Sequence, residues 1–233
     1  MKRSFDPATL EMMDRPQPVS AELERDLHNL EQLNRYFGSH RLVLEFIRRW
    51  IKPGDRRSIV DLATGSGDIP RLIVDYTRGI GAQVTIDALD RQPATLEIAR
   101  DLSTDYPEIS YLEADILQWN PGRTYDIVLC SLVLHHFSDN EAVRVLQSCR
   151  ELSRQFVLVA DLRRGRFLTA GVFLVTALVF RDPMTQHDGR LSAARAFSFA
   201  DFRELAQKAG WQNFGHKRFR FGRQAIWLDH RAG

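Results

Sequence analysis

The chain has 233 residues, with 32 Lys and Arg against 30 Asp and Glu, a net charge of +2 and 44% hydrophobic residues. That hydrophobic content is typical of a folded globular protein. The near balance of charge gives no strong attraction to nucleic acid or membrane surfaces, and two cysteines are too few for a disulfide framework. The first residues lack the apolar stretch of a signal peptide, so we expect a cytoplasmic protein.

The N-terminal part, residues 1–54, is predicted to form an arm and a helical cap in front of a domain at residues 55–233. Residues 1–20 are polar and interrupted by prolines, which indicates a loose arm. Leucines from Leu23 to Leu33 recur at helical spacing after Ser20, and residues 40–51 form a second amphipathic pattern. We therefore expect two helices before the first strand.

The rest of the chain alternates short apolar runs with amphipathic segments, which predicts a doubly wound α/β fold with a parallel sheet. Proline, glycine and capping residues mark the boundaries between these segments. The predicted strands are 58–63, 83–89, 109–114, 125–130, 155–161, 214–221 and 224–229, and the predicted helices are 69–78, 93–103, 139–151 and about 199–209.

A turn of small residues follows the first predicted strand. The strand carries Asp61, the turn contains Gly65 and Gly67, and the next helix begins near Pro70. Glycine tolerates positive φ and lets a ligand approach the backbone closely. A strand, a glycine turn and a helix in this order are typical of the opening of a nucleotide-binding unit.

Polar residues also follow the next predicted strands. Asp90 ends the second strand, Asp115 the third, and Ser131 with the pair His135 and His136 follows the fourth. A carboxylate at the end of the second strand suits a ribose, because it accepts hydrogen bonds from both hydroxyls. Since parallel strands end at one edge of the sheet, these residues predict a ligand crevice there.

The motifs at 61–68, 90, 115 and 126–137 together resemble those of class I S-adenosylmethionine (SAM)-dependent methyltransferases. The resemblance is greatest to the group similar to the ubiquinone and menaquinone C-methyltransferases, and it covers roughly residues 40–230. That family usually has a third glycine in the first motif, where this chain has Ala63. The resemblance implies a Rossmann-like seven-stranded sheet with an antiparallel last strand, N-terminal helices and a helical insertion after the fifth strand, at about 165–196.

The resemblance also implies SAM as cofactor and assigns its binding residues. The residues near its aminoacyl end would be Asp61, Ala63, Gly65 and Gly67. Asp90 and Arg91 would lie near the ribose, Asp115 and Ile116 near the adenine, and Ser131 near the sulfonium.

A nicotinamide-dependent dehydrogenase is the competing interpretation of the glycine turn. Its fingerprint needs a third glycine where this chain has Pro70, and proline suits the first turn of a helix instead. The histidine pair after the fourth strand is likewise foreign to that fingerprint. We therefore favour the methyltransferase.

Three histidines are candidates for a catalytic base: His136, His187 and His135. A phenol with a pKa near 10 is mostly protonated at neutral pH, so a base helps if the acceptor is a hydroxyl. Of the adjacent pair, we expect only one ring to point into the crevice. His187 lies in a polar stretch of the insertion and is expected on a loop that faces the cavity. A solvated surface loop remains open for His187, and a purely structural role remains open for the His135 and His136 pair.

No metal site is expected, because the His and Asp residues lack tight ligand spacing and two lone cysteines make no zinc cluster. The basic run 216–223 is explained by strand alternation better than by nucleic-acid binding. Residues 167–180 carry no charge but are shorter than the roughly 20 residues of a bilayer span. We expect them and the 23–33 helix to line an apolar cavity that reaches the SAM methyl group.

Together these observations predict a methyltransferase that acts on a small, apolar, aromatic acceptor, with O-methylation of a phenolic or polyketide-like compound as the first hypothesis. C-methylation of a quinone-type ring and a non-catalytic SAM-binding or partner-binding role are the alternatives. We expect neither nucleic acid nor integral membrane association, and a homodimer stays open.

Overall fold

Two helices precede the sheet in the computed structural model, which describes residues 3–165 and 183–231. Helix α1 spans Ala21–Tyr36 and α2 spans Ser39–Trp50. The Ser20 side chain accepts a hydrogen bond from the N–H of Leu23, which satisfies one free donor at the start of α1. Both helices lie within two residues of the predicted bounds.

The described residues form a seven-stranded sheet in the order β3-β2-β1-β4-β5-β7-β6. The first five strands in this numbering pair in parallel, and β7 runs antiparallel to both β5 and β6. This confirms the predicted fold class. The strands are β1 Arg56–Leu62, β2 Gln83–Asp90, β3 Ile109–Glu113, β4 Tyr125–Ser131, β5 Ser153–Leu162, β6 Gly215–Phe219 and β7 Arg223–Asp229.

Two of the helices that connect the strands begin at capping serines. Ser138 and Ser198 each accept a hydrogen bond from the backbone three residues on, and an acidic side chain at that position bonds back, which forms a capping box. The helices that follow β1 in the described residues are α3 Asp68–Gly79, α4 Pro93–Asp101, α5 Asp139–Leu152, α6 Pro183–Arg195 and α7 Phe199–Lys208, with a 3₁₀ turn at Leu134–His136.

The strands alternate their buried side chains between two apolar layers. In β4, Val128 and Cys130 face α5 and α7, whereas Ile127 and Leu129 face α2 and α3. This period of two is what a strand covered on both faces requires. Cys130 and Cys149 are buried and unpaired, as the sequence predicted.

The insertion after β5 is described only in its second half, as α6. The prediction for residues 167–180 falls outside the described residues. Over the parts of the chain that are described, no helix is both long and apolar enough to cross a membrane.

Gly67 closes the turn between β1 and α3 with a left-handed backbone, at a φ of +73°. A Cβ atom built on it would lie 2.0 Å from the hydroxyl oxygen of Tyr111, which is far inside van der Waals contact. Tyr111 in turn lies 2.7 Å from Ser103 Oγ. Gly67 is therefore required by the packing of β3 against this turn as well as by its own conformation.

We expect Gly67→Ala to destabilise the protein more than Gly81→Ala. Gly81 has a similar φ of +69°, but its Cβ would meet nothing within 4 Å, so this control isolates the left-handed strain of about 1–2 kcal/mol. The steric conflict with Tyr111 should add about 1–3 kcal/mol to the loss in Gly67→Ala. Urea denaturation of the two variants measures the difference, and equal losses would contradict the packing argument.

Candidate functional site

A cavity of about 830 Å³ opens at the edge of the sheet where the parallel strands end. It is lined by the turn after β1, the ends of β2 and β4, the loop after β3, helix α1 and the N-terminal segment. Its size falls within the range of small-molecule sites, about 300–1,000 Å³. Leu27, Leu30 and Leu33 of α1 form part of an apolar wall, as predicted for this helix.

The turn after β1 presents its backbone to the cavity. Ala63 and Gly65 both have left-handed backbones, with φ values of +58° and +56°. A Cβ atom at Gly65 would meet nothing within 4 Å, so the space beside it is open to a ligand. Gly67 is not among the described residues that line the cavity. The described structure gives it a packing role against Tyr111, and its contact with the cofactor stays a prediction.

Asp61 lies at the base of this turn and is 2% exposed. Its carboxylate accepts a hydrogen bond of 2.7 Å from the Thr64 hydroxyl. Burial is the main cause that raises the pKa of Asp61 to about 7; the Thr64 hydrogen bond opposes this rise, and the nearby Asp68 and Asp90 carboxylates add to it. A cationic group placed beside Asp61 would stabilise its ionised form.

Asp90 at the end of β2 is held by two backbone amides. Its Oδ2 accepts from the N–H of Gly65 and its Oδ1 from the N–H of Gln92, both at 3.0 Å. Each oxygen keeps a further lone pair for a ligand hydroxyl. Arg91 also lines the cavity and lies 3.4 Å from Asp14 of the N-terminal segment.

The loop after β3 and the end of β4 complete this side of the cavity. Asp115 is exposed and accepts from the N–H of Leu117, whereas Ile116 is buried at 8% exposure. The hydroxyl of Ser131 is buried without a hydrogen-bond partner among the described residues. An unpaired buried hydroxyl in a cavity wall is a free group for a polar ligand.

The N-terminal segment, residues 3–19, packs over the cavity, so the prediction of a loose arm is wrong. Arg3 donates to Asp139 at 2.7 Å and to the carbonyl of Phe137 at 2.6 Å. The N–H groups of Met12 and Met13 donate to the two carboxylate oxygens of Asp188 on α6. These polar anchors are long-range contacts, which composition alone does not reveal.

This segment brings two carboxylates to the histidine pair. His135 Nδ1 lies 2.6 Å from Asp161 Oδ1, and His136 Nδ1 lies 2.8 Å from Asp14 Oδ2. Glu11 Oε1 lies 3.9 Å from Nε2 of His135 and 3.6 Å from Nε2 of His136. Both histidines line the cavity, which corrects the expectation that only one of them would face it.

The charges of this cluster are tightly coupled. Burial lowers the pKa of His136, but the Glu11 and Asp14 carboxylates overcome this and bring it to about 9. Burial also raises the pKa of Glu11 above its ordinary value, although both histidines oppose that shift. For Asp14, burial raises the pKa, but the hydrogen bond and charge of His136, together with the charges of Arg91 and His135, outweigh burial and lower the pKa.

His187 does not join this cluster. It lies on α6 and not on a loop, its Nδ1 is 2.8 Å from Asp188, and its side chain is 42% exposed. The neighbouring Asp188 is the residue of this pair that lines the cavity. The expectation of a loop at His187 is therefore wrong, and its role as a base stays a prediction that none of its described contacts supports.

Glu11, Asp14 and Asp161 are site residues that the sequence interpretation missed. Asp161 stands near the end of β5, so the rule that located Asp90 could have found it. Nothing local marks Glu11 or Asp14, which lie in a polar segment interrupted by prolines. The structure also brings possible metal ligands within 4.8 Å of one another, namely Glu11, His135 and His136, which the sequence spacing did not indicate.

Comparison with known proteins relates this chain to methyltransferases. Residues 59–155 match the family model described as a methyltransferase domain. A 2-phytyl-1,4-naphtoquinone methyltransferase of Thermosynechococcus vestitus is 33% identical over 42% of this chain and 44% of its own length. A trans-aconitate 2-methyltransferase of Klebsiella pneumoniae is 28% identical over 36% of this chain and 31% of its own length. The chain thus spans less than half of these curated relatives.

Solved structures share the fold at low identity. Human N-acetylserotonin methyltransferase in complex with SAM has a TM-score of 0.63 and 18% identity, over 89% of this chain and 55% of that one. An O-methyltransferase homologue from Nostoc punctiforme has a TM-score of 0.64 and 15% identity, over 88% and 59% of the two chains. Residues 59–155 thus match a methyltransferase domain, and the chain shares the fold of solved methyltransferases, one of them in complex with SAM.

Proposed function

We propose that this chain transfers the methyl group of SAM to a hydroxyl oxygen of a small, largely apolar aromatic acceptor of the phenolic or polyketide-like kind. One observation carries the proposal: the glycine turn with the strand-end acids and the histidine–carboxylate cluster line the same cavity. The apolar wall between them suits an aromatic ring.

The residues at the sheet edge fit SAM. Open space beside Gly65 leaves room for the cofactor against the backbone, and Asp90 has spare lone pairs for the ribose hydroxyls. Asp61 would face the cationic amino group, whose charge stabilises the ionised carboxylate. Ile116 and Asp115 would border the adenine. When bound, SAM supplies a methyl group already activated by its sulfonium.

The protein's own contribution is to hold the acceptor in line with that methyl group and to keep water out. Such alignment is worth about 7–11 kcal/mol in well-oriented reactions. Apolar side chains from the N-terminal segment and α1, including Phe5, Leu30 and Phe37, would pack against the ring. The His135 and His136 cluster would bind the acceptor's oxygen.

This cluster favours an oxygen over a ring carbon as the methyl acceptor. Two imidazoles and the carboxylates of Glu11, Asp14 and Asp161 meet at one wall of the cavity, beside the apolar side chains of the N-terminal segment and α1. A ring carbon offers no hydrogen bond to such groups, whereas a hydroxyl does. C-methylation of a quinone-type ring is the second candidate, and the similarity to the 2-phytyl-1,4-naphtoquinone methyltransferase supports it.

We expect Gly65→Ala to weaken SAM binding at least about tenfold, a loss of about 1.4 kcal/mol, because the added methyl group would occupy the space left for the cofactor. Gly81→Ala is the matched control: φ is positive at both glycines and a Cβ at either meets nothing within 4 Å. Calorimetric titration with SAM measures the affinity. Equal SAM affinity in both variants, or tight binding of NAD instead of SAM, would refute this cofactor site.

We expect His136→Ala to lower kcat about 10- to 100-fold without changing SAM affinity, because a hydrogen bond between charged partners contributes about 1.5–3 kcal/mol. His187→Ala should keep full turnover. Methyl-labelled SAM with a panel of phenols, resorcinols and naphthoquinols provides the assay. Nuclear magnetic resonance of the product distinguishes an O-methyl from a C-methyl group, and a C-methyl product would replace the first candidate by the second.

A further inference from the structure

The two histidines of the cluster are held in one tautomer by carboxylates. Asp161 faces Nδ1 of His135 and Asp14 faces Nδ1 of His136, at 2.6 and 2.8 Å. An ionised carboxylate only accepts hydrogen bonds, so each Nδ1 carries the hydrogen. In the neutral ring, Nε2 then presents a lone pair.

These lone pairs converge on a third acceptor. Glu11 Oε1 lies 3.6 and 3.9 Å from the two Nε2 atoms, too far for direct hydrogen bonds. His135 Nε2 is fully buried and has no hydrogen-bond partner in the described structure. Glu11 is itself buried, at 2% exposure. Three acceptors that face one another away from water repel unless a proton or a metal ion lies between them.

We propose that Glu11, His135 and His136 bind a divalent transition-metal ion of the zinc type. Two histidines and one glutamate are the ligand set of a class of catalytic zinc sites, which keep their fourth position open. Metal–ligand bonds of about 2.0–2.2 Å place tetrahedral ligand atoms roughly 3.3–3.6 Å apart. The two separations that involve Glu11, 3.6 and 3.9 Å, need a contraction of only a few tenths of an ångström, and all three ligand atoms lie within 4.8 Å of one another.

The surroundings of the three ligands match this assignment. Metal-bound histidines nearly always donate their other N–H to a carboxylate or carbonyl, and both histidines here face a carboxylate. Ser192 Oγ lies 2.7 Å from Glu11 Oε1 and holds the third ligand in place. An ordinary packed histidine pair has no need of two such carboxylates and a third that faces both rings.

The role of this ion in turnover rests on the proposed function. All three ligands line the cavity, so an ion that they held would be within reach of the acceptor's hydroxyl oxygen and would lower its pKa, as such an ion does for bound water. The hydroxyl proton leaves to solvent. The oxygen–methyl bond then forms as the sulfur–methyl bond breaks, and the electron pair of the broken bond stays on sulfur. The histidines act as ligands and need not act as the base.

Metal binding is tested on the full-length protein without any acceptor. The chain is dialysed against a chelator, the chelator is removed, and Zn²⁺ is titrated by calorimetry. We expect one Zn²⁺ per chain and, with Co²⁺ in its place, the intense visible absorption of a four-coordinate site. Glu11→Gln keeps the size of the side chain but should lower Zn²⁺ affinity more than tenfold. His28→Ala removes an exposed histidine of α1 and should leave binding unchanged.

A second substitution keeps the test decisive if Glu11→Gln fails to fold. Asp14→Asn removes the carboxylate that faces His136, together with its ion pair to Arg91, and should lower Zn²⁺ affinity about 10- to 100-fold, the usual effect of losing such a carboxylate. Absence of Zn²⁺ and Co²⁺ binding, or affinities that these substitutions leave unchanged, would show that the cluster holds protons only and would overturn the inference. If the cluster binds no metal but the chelator-treated protein still methylates an oxygen, the proposed function stands without the metal. If Zn²⁺ binds but no O-methylation is found, the metal site stands and the proposed function is refuted.

Discussion

The anchoring of the N-terminal segment to Asp188 is the interaction on which the site depends. Two consecutive backbone N–H groups, from Met12 and Met13, bind the two oxygens of that buried carboxylate. The segment thereby covers the edge of the sheet and places Glu11 beside the histidines. Without this cover, Glu11 would be solvated and the cavity would be an open groove. The cover is also what makes the electrostatic interactions of the cluster strong, because they weaken sharply in water.

The buried cluster carries more anionic than cationic groups. Glu11, Asp14 and Asp161 meet only two imidazoles, and Asp188 lies close by. Such an excess is costly unless protons or another cation balance it. In the protein alone, the balance is met by the raised pKa values of His136 and Glu11. The same excess of negative charge makes this wall of the cavity attract a cation or a hydrogen-bond donor. The proposed metal ion and the hydroxyl group of the methyl acceptor would each meet that requirement.

Sequence patterns predicted most of the fold because they report local physics. Strand alternation, capping serines and the glycine turn each depend on neighbours within a few residues, so the strands and the helices around them lie close to their predicted bounds. The same logic located Asp90 and Ser131, since parallel strands end at one edge. Glu11 and Asp14 could not be found this way, because their partners lie more than a hundred residues away in the chain. The location of His187 was not predicted correctly for a related reason. The residue lies on a helix, where its position around the helix axis decides which way the side chain points, and a polar stretch of sequence does not reveal that position.

The backbone at the cofactor edge explains why Ala63 can stand where the resembled family usually has glycine. Ala63 follows β1 and Leu132 follows β4, and both adopt a left-handed backbone with φ at +58°. Each such residue costs roughly 1–2 kcal/mol, so the surrounding hydrogen bonds must hold the conformation. The N–H of Thr64 bonds to Leu89 at 2.7 Å and that of Leu132 to Ala160 at 2.8 Å, which fixes both turns to neighbouring strands. The shape of this edge is therefore set by the sheet and not by the identity of residue 63. Of the four strained residues other than glycine in the described structure, Ala63 and Leu132 stand on the two sides of the point where the strand order reverses, which supports a ligand site at this edge; Asn213 and Phe221 lie in the turns before β6 and β7.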